Sequence, residues 1–284
     1  MQPFAAKRPA ARLACAALAL WSVLAAACGP ASADDSAGMP RLQVIAESWY
    51  PYSYEEDGVV RGRATETVRK VLARAGFDYD IELYPWPRAY RMAQERKNLL
   101  IYAMVKTPAR EKIFQFVGQV MEGDKMYFFG NKGREDIKLN SAEDAKAFRI
   151  ATSQDSAMMA FLHDRDFPEI SAVYDIQLGF KQLLYGRVDL VLTSAVNVAA
   201  HVRSGDIAPG SVVPYGWALD AEPHMAFSPQ TDPAVVARMR QAYESLVQDG
   251  GLPVFGSKPY CGMDVLTEGI DEHCGGESVR AVEE

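Results

Sequence analysis

Residues 99–104 are apolar throughout and run directly into Val105-Lys106-Thr107-Pro108-Ala109-Arg110-Glu111. An apolar run without alternation is the signature of a strand covered on both faces, as in parallel sheets. The T-P-A-R tail is a turn that opens a helix, with Pro at the first helical position. In an open α/β sheet the ligand crevice lies beyond the carboxyl ends of the strands. Arg110 therefore stands where a planar, permanently charged guanidinium can take a carboxylate through two parallel hydrogen bonds. The plain alternative is a solvated Arg on a helix's first turn.

The segments around this one alternate in the same way. Strands are expected over residues 42–46 and 80–84, and helices over residues 65–75 and from Pro87 onward. Val68, Val71, Leu72 and Ala75 share one helical face, and Gly76 stops that helix. Strand-like runs follow at 114–118 and 126–130, and Ser141-Ala142-Glu143-Asp144 resembles a capping box. The alternation then restarts. Strands at 149–152, 172–174 and 188–192 alternate with helices that open at Ser153-Gln154-Asp155-Ser156, at Ile176 and after Thr193-Ser194. Short strands at 212–215 and 225–227 come next, then an amphipathic helix over 232–249. No strand follows that helix, so it packs back on the first unit. The expectation is an α/β chain of two units, not one long sheet.

Residues 1–33 read as a secretory signal, with Lys7, Arg8 and Arg12 ahead of an apolar stretch too short for a comfortable membrane span. Two processing patterns overlap. Ala31-Ser32-Ala33 is a cleavage signal that leaves Asp34 first, whereas Leu24 to Cys28 resembles a lipobox that would anchor the chain through Cys28. Residues 34–40 form a small-residue linker. Removing residues 1–33 takes away three cations and no anions, leaving 27 cations against 37 anions, a net charge of −10. Such a chain, without basic clusters, argues against nucleic acid as a partner. Cys261 and Cys274 are an even pair in an exported chain and suggest one disulfide closing a C-terminal loop. With no C-x-x-C spacing, a metal site joining them to His273 has little support.

The order Y-P-Y-S-Y-E-E-D-G from Tyr50, Y-P-W-P-R from Tyr84, K-T-P-A-R-E from Lys106 and G-R-V-D-L-V-L-T-S from Gly186 resembles the family 3 solute-binding proteins, periplasmic receptors of polar amino-acid ABC importers. The resemblance covers about residues 42–250. It implies a type II periplasmic-binding fold of two α/β lobes joined by two crossovers, with a ligand in the cleft between them. Lobe 1 would comprise 41–122 and 222–284, and lobe 2 would comprise 126–216. It further implies a small-molecule solute, ABC importer membrane subunits as partners, a monomer, no cofactor and no metal. By position, Arg110 matches the Arg that binds the ligand's α-carboxylate. Ser153 to Ser156 match a helix start that favours an anionic group, and Trp49 and Tyr52 match the aromatic loop against the ligand. Ser194 falls where the amino-acid receptors usually have an Asp for the α-ammonium, and Val105 replaces a small hydroxyl residue. Glu47 or Asp155 could supply the missing charge.

Trp86 could line the cleft or serve as a core aromatic; Arg88 and Arg63 could also face it. Ser153 and Ser156 are suited to helix caps. Thr193 and Asn197 are further candidates, and His224 and Trp217 lie near the second crossover. No G-x-S-x-G, H-E-x-x-H, P-loop or dinucleotide fingerprint occurs. The expectation is a binding protein and not an enzyme. A dehydratase on the same fold would need a general acid beside the Arg, for which Glu47 and Glu222 are the candidates. A ligand-sensing module for a membrane partner would look the same in sequence.

Overall fold

The computed structural model describes residues 40–256 together with Leu266. The expected signal segment, Cys28, Cys261, His273 and Cys274 lie outside these residues.

The chain begins with β1 (Leu42–Ala46), a hairpin of β2 (Tyr54–Glu56) and β3 (Val59–Arg61), α1 (Arg63–Ala75), β4 (Tyr79–Leu83), α2 (Trp86–Glu95) and β5 (Leu99–Val105). The single turn α3 (Pro108–Glu111), β6 (Gln115–Gln119) and β7 (Asp124–Asn131) follow. After a 3-10 turn at Ala142–Ala147 come β8 (Ile150–Ser153), α4 (Ala157–His163), β9 (Ile170–Val173), α5 (Ile176–Leu184), β10 (Leu190–Ser194) and α6 (Ala195–Arg203). The chain returns through β11 (Val212–Ala221) and β12 (Pro223–Phe227) and ends in α7 (Pro233–Gln248).

These strands form two five-stranded sheets, ordered β4-β1-β5-β12-β6 and β11-β7-β10-β8-β9. In the first, β1 pairs in parallel with β4 and β5, while β12 runs antiparallel to β5 and β6. In the second, β8, β9 and β10 are parallel, and β7 runs antiparallel to β10 and β11. The apolar run of β5 is explained by cover on both faces. Leu99 and Ile101 pack with Trp86, Ala89 and Met92 of α2. Leu100 and Tyr102 pack with Val68, Val71 and Leu72 of α1 and with Met239 of α7. The last helix packs on α1 and β6.

Two expectations need correction. The strand at 212–215 is in fact β11, which follows β7 as far as Ala221. Register shifts between Pro214 and Gly216 and between Trp217 and Leu219 break its alternation, so its second half does not read as a strand. The helix opened by T-P-A-R is only Pro108–Glu111, capped by the Thr107 side chain, which accepts from Arg110 N at 3.2 Å. The β2–β3 hairpin, which pairs Tyr54 with Arg61 and Glu56 with Val59, is not among the expected strands.

The loop from Glu47 to Ser53 is held against the start of α1. The N-cap of α1 is Gly62, which has no side chain to offer. The helix's first free N–H groups find loop carbonyls instead, Ala64 N donating to Tyr52 O at 3.1 Å and Arg63 N to Pro51 O at 3.4 Å. Gly62 has φ 116°, and an added Cβ would press on the Tyr52 carbonyl. Gly62→Ala should therefore destabilise the chain by about 2 kcal/mol or more. Urea unfolding measures this, and a loss under about 0.5 kcal/mol, the range of an ordinary surface change, would contradict the close approach.

Candidate functional site

A cavity of about 490 Å3 opens beyond the carboxyl ends of both sheets' parallel strands. From the first sheet, β1 delivers Glu47, Ser48, Trp49 and Tyr50. The turn after β4 delivers Trp86, and the turn after β5 delivers Arg110. From the second sheet, the turn after β8 delivers Ser153 and Ser156, the turn after β9 delivers Asp175, and α6 delivers Asn197 and His201. Strand ends and helix starts converge here because both half-sheets present the same edge to the gap.

Arg110 is 5% exposed. Its guanidinium lies 5.1 Å from the Trp86 ring and 5.0 Å from the Tyr90 ring. Nη1 donates to the Val105 carbonyl at 2.8 Å, and Nη2 donates to the Asp155 carbonyl at 3.0 Å. Trp86 Nε1 donates to that same carbonyl at 3.0 Å. Two groups carried by the first sheet thus meet one acceptor carried by the second. Asp155 turns its carbonyl toward them with φ 57°, a left-handed backbone that Asp tolerates better than most residues. Burial lowers the pKa of Arg110 from the usual guanidinium value, while Tyr90 acts in the opposite direction. A second contact across the gap sets Arg203 of α6 over the Tyr50 ring at 4.3 Å.

The acidic groups are the other half of the site. Burial pushes Glu47 up to about 8, with the Asp175 carboxylate adding to the rise and a hydrogen bond from the Trp86 backbone N–H opposing it. On the second wall Asp206 accepts from Gln177 Nε2 at 2.8 Å and Ser204 Oγ at 2.8 Å, and faces His201 Nδ1 at 2.9 Å. These partners, His201 first, hold Asp206 down at about 2.

The candidates from sequence divide as follows. Arg110, Trp49, Trp86, Ser153, Ser156 and Asn197 line the cavity. Tyr52, Thr193 and Ser194 do not; each is fully buried. Tyr52 packs edge-on against Trp49 at 4.8 Å, because the tight loop turns it inward beneath its neighbour. Ser194 caps α6, accepting from Asn197 N at 3.2 Å, and Thr193 accepts from Asn197 Nδ2 at 2.9 Å. Ser156 likewise caps α4, accepting from Met159 N at 3.0 Å. Arg88, Arg63, His224, Trp217 and Glu222 are outside the cavity lining, and Arg88 lies over the Tyr84 ring at 4.5 Å. Sequence pattern missed Tyr50, Asp175, Gln177, His201 and Asp206. Asp175 had a usable signal, since it is the cap residue between a strand and a helix, as Thr107 is. No cluster that could hold a metal ion occurs among the described residues.

The model of the bacterial extracellular solute-binding proteins, family 3, matches residues 42–255. No curated protein sequence matches the chain. Among solved structures, a histidine kinase sensor domain with similarity to periplasmic binding proteins superposes with TM-score 0.65 at 15% identity, over 74% of this chain and 92% of that one. An ancestral arginine-binding protein bound to arginine gives TM-score 0.62 at 20% identity, over 75% and 94%. An ancestral amino acid-binding protein that is a precursor of cyclohexadienyl dehydratase gives 0.58 at 18% identity, over 74% and 90%. At these identities the likeness is one of fold, the type II periplasmic-binding fold.

The ordinary value of Glu47 is 4.5 and its value here is about 8. Between the two, the folded chain keeps a proton that the unfolded chain has released, so stability falls as pH rises through that window. Glu47→Gln cannot titrate and should lose less stability than the wild type between about pH 5 and about pH 8. Urea unfolding across that range decides it, and equal losses in the two proteins would contradict the assignment.

Proposed function

The chain belongs to the bacterial extracellular solute-binding proteins, family 3, and we propose that it is a periplasmic receptor that captures a small, polar, amino-acid-like solute and delivers it to an ABC importer. The export signal expected over residues 1–33 supports the location. No helix among the described residues is long and apolar enough to cross a membrane. Capture works by closing lobe 1, of which residues 41–122 and 222–256 are described, on lobe 2, residues 126–216. A ligand that touches both walls is bound more tightly in the closed state than in the open one, and that difference draws the lobes together.

One observation carries this proposal: the walls of a solute-sized cavity come from both sheets, and Arg110 and Trp86 already reach across it to Asp155. Arg110 spends one donor on each of two carbonyls, which leaves N–H groups of its five for a ligand carboxylate. Trp49, Tyr50 and Trp86 offer apolar faces, and Ser153 and Ser156 offer hydroxyls from the opposite wall.

A second use of the cavity has one observation in its favour. A carboxyl raised to about 8 and a guanidinium line the same space, the pairing a dehydratase needs. The compound recovered after incubation separates the two, since a receptor returns it unchanged.

A thermal-shift screen of amino acids, opines, polyamines and organic acids identifies the ligand, because a compound at a hundred times its Kd adds about 2.7 kcal/mol of stability. For the compound so found, Arg110→Ala should weaken binding at least about tenfold, since a hydrogen bond to a charged group contributes about 1.5–3 kcal/mol. Calorimetry on the folded variant checks this. Affinity within about twofold of the wild type would remove Arg110 from the binding contacts.

A further inference from the structure

The charged groups of the cavity do not balance. Its lining holds three carboxylates, Glu47, Asp175 and Asp206, against the cation Arg110 and the imidazole of His201. The charge of Arg110 is already answered by two carbonyls and two aromatic faces. On the second wall the polar groups form a connected ladder. Asp175 Oδ1 accepts from Gln177 N at 2.9 Å, and Gln177 Nε2 donates to Asp206 Oδ1 at 2.8 Å. Asp206 Oδ2 then holds Ser204 Oγ at 2.8 Å and His201 Nδ1 at 2.9 Å. No hydrogen bond to His201 Nε2 occurs among the described residues. What a ligand meets at this end is the carboxyl of Glu47 on the first wall, and the Asp175 carboxylate and the His201 ring on the second.

We propose that this end of the cavity is a cation seat, in which an ammonium or guanidinium group of the ligand lies between Glu47 and the Asp175–Gln177–Asp206–His201 ladder, and that the preferred ligand is net positive. The inference rests on the solute-binding role proposed above and narrows its ligand class. Glu47 and Asp175 face the same space from opposite walls, and the Asp175 carboxylate opposes ionisation of Glu47. A cation between them reverses the sign of the interaction and favours the closed state. A purely anionic ligand would add to the repulsion. A ligand carboxylate can still meet Arg110, provided that cationic groups outnumber it.

The test is a thermal-shift and calorimetric screen of the full chain at neutral pH with compounds sorted by charge. It includes a matched five-carbon set of 1,5-diaminopentane, 5-aminopentanoate and glutarate. Stabilisation should come from compounds with a cationic nitrogen, strongest in the net-positive group, and glutarate should give none. For the best cationic compound, Glu47→Gln and Asp206→Asn should each weaken binding at least tenfold while retaining the wild-type circular dichroism. Binding in buffers of different ionisation enthalpy should release a proton from the wild type and none from Glu47→Gln, because the seated cation draws the proton off Glu47 against the neighbouring Asp175, Asp206, His201 and Arg110. A merely structural Glu47 would not change proton release. Binding confined to anions or neutral compounds, or cation binding indifferent to both substitutions, overturns the cation seat and leaves the receptor role standing. A screen with no binder in any charge class overturns the receptor role, and the seat with it.

Discussion

One backbone carbonyl, that of Asp155, receives Trp86 Nε1 and Arg110 Nη2 together and so joins the two walls of the cavity. Both donors belong to the first sheet's side and the acceptor to the second's. A buried guanidinium without partners costs several kcal/mol, so Arg110 at 5% exposure needs these acceptors and the rings on either side of it. The bridge is nonetheless modest. A hydrogen bond exchanged for water is worth about 0.5–1.5 kcal/mol, and up to about 3 where one partner is charged. A solute bound at micromolar Kd brings about 8 kcal/mol in all, and only the part that differs between the closed and open states acts on a bias of that size. Arg110 is thus part of the link between the walls and part of the cavity lining.

The site exists because two half-sheets present the same edge to one gap. The first sheet takes its one antiparallel strand from distant sequence: β12, more than a hundred residues after β5, pairs between β5 and β6. That return sets the carboxyl ends of β1, β4 and β5 opposite those of β8, β9 and β10. The aromatic loop after β1 is held to the gap by hydrogen bonds to the start of α1, which lacks a side-chain cap of its own.

Much of this was legible in the chain itself. The β5 run announced a strand buried on both faces, and T-P-A-R put Arg110 at its carboxyl end, where the cavity is. The strand–helix alternation and its restart gave the two units. Less was legible where geometry overrides local pattern. The bulges of β11 hid half a strand. Tyr52 and Ser194 sit at positions that read as cavity-facing, yet a tight loop turns one inward and a capping bond commits the other. Asp206 and His201 carry no motif. They meet through a turn after α6 and through Gln177 from another helix, a pairing that only the folded chain creates.

The most direct test of the link between the walls is a distance measurement between spin labels at Lys70 on α1 and Lys181 on α5, two exposed positions on the two sides of the gap. The wild type is compared in the same buffer with a double variant, Trp86→Phe and Arg110→Met, that removes both donors to Asp155. The account predicts a longer and broader distance distribution in the double variant. Superimposable distributions would contradict it.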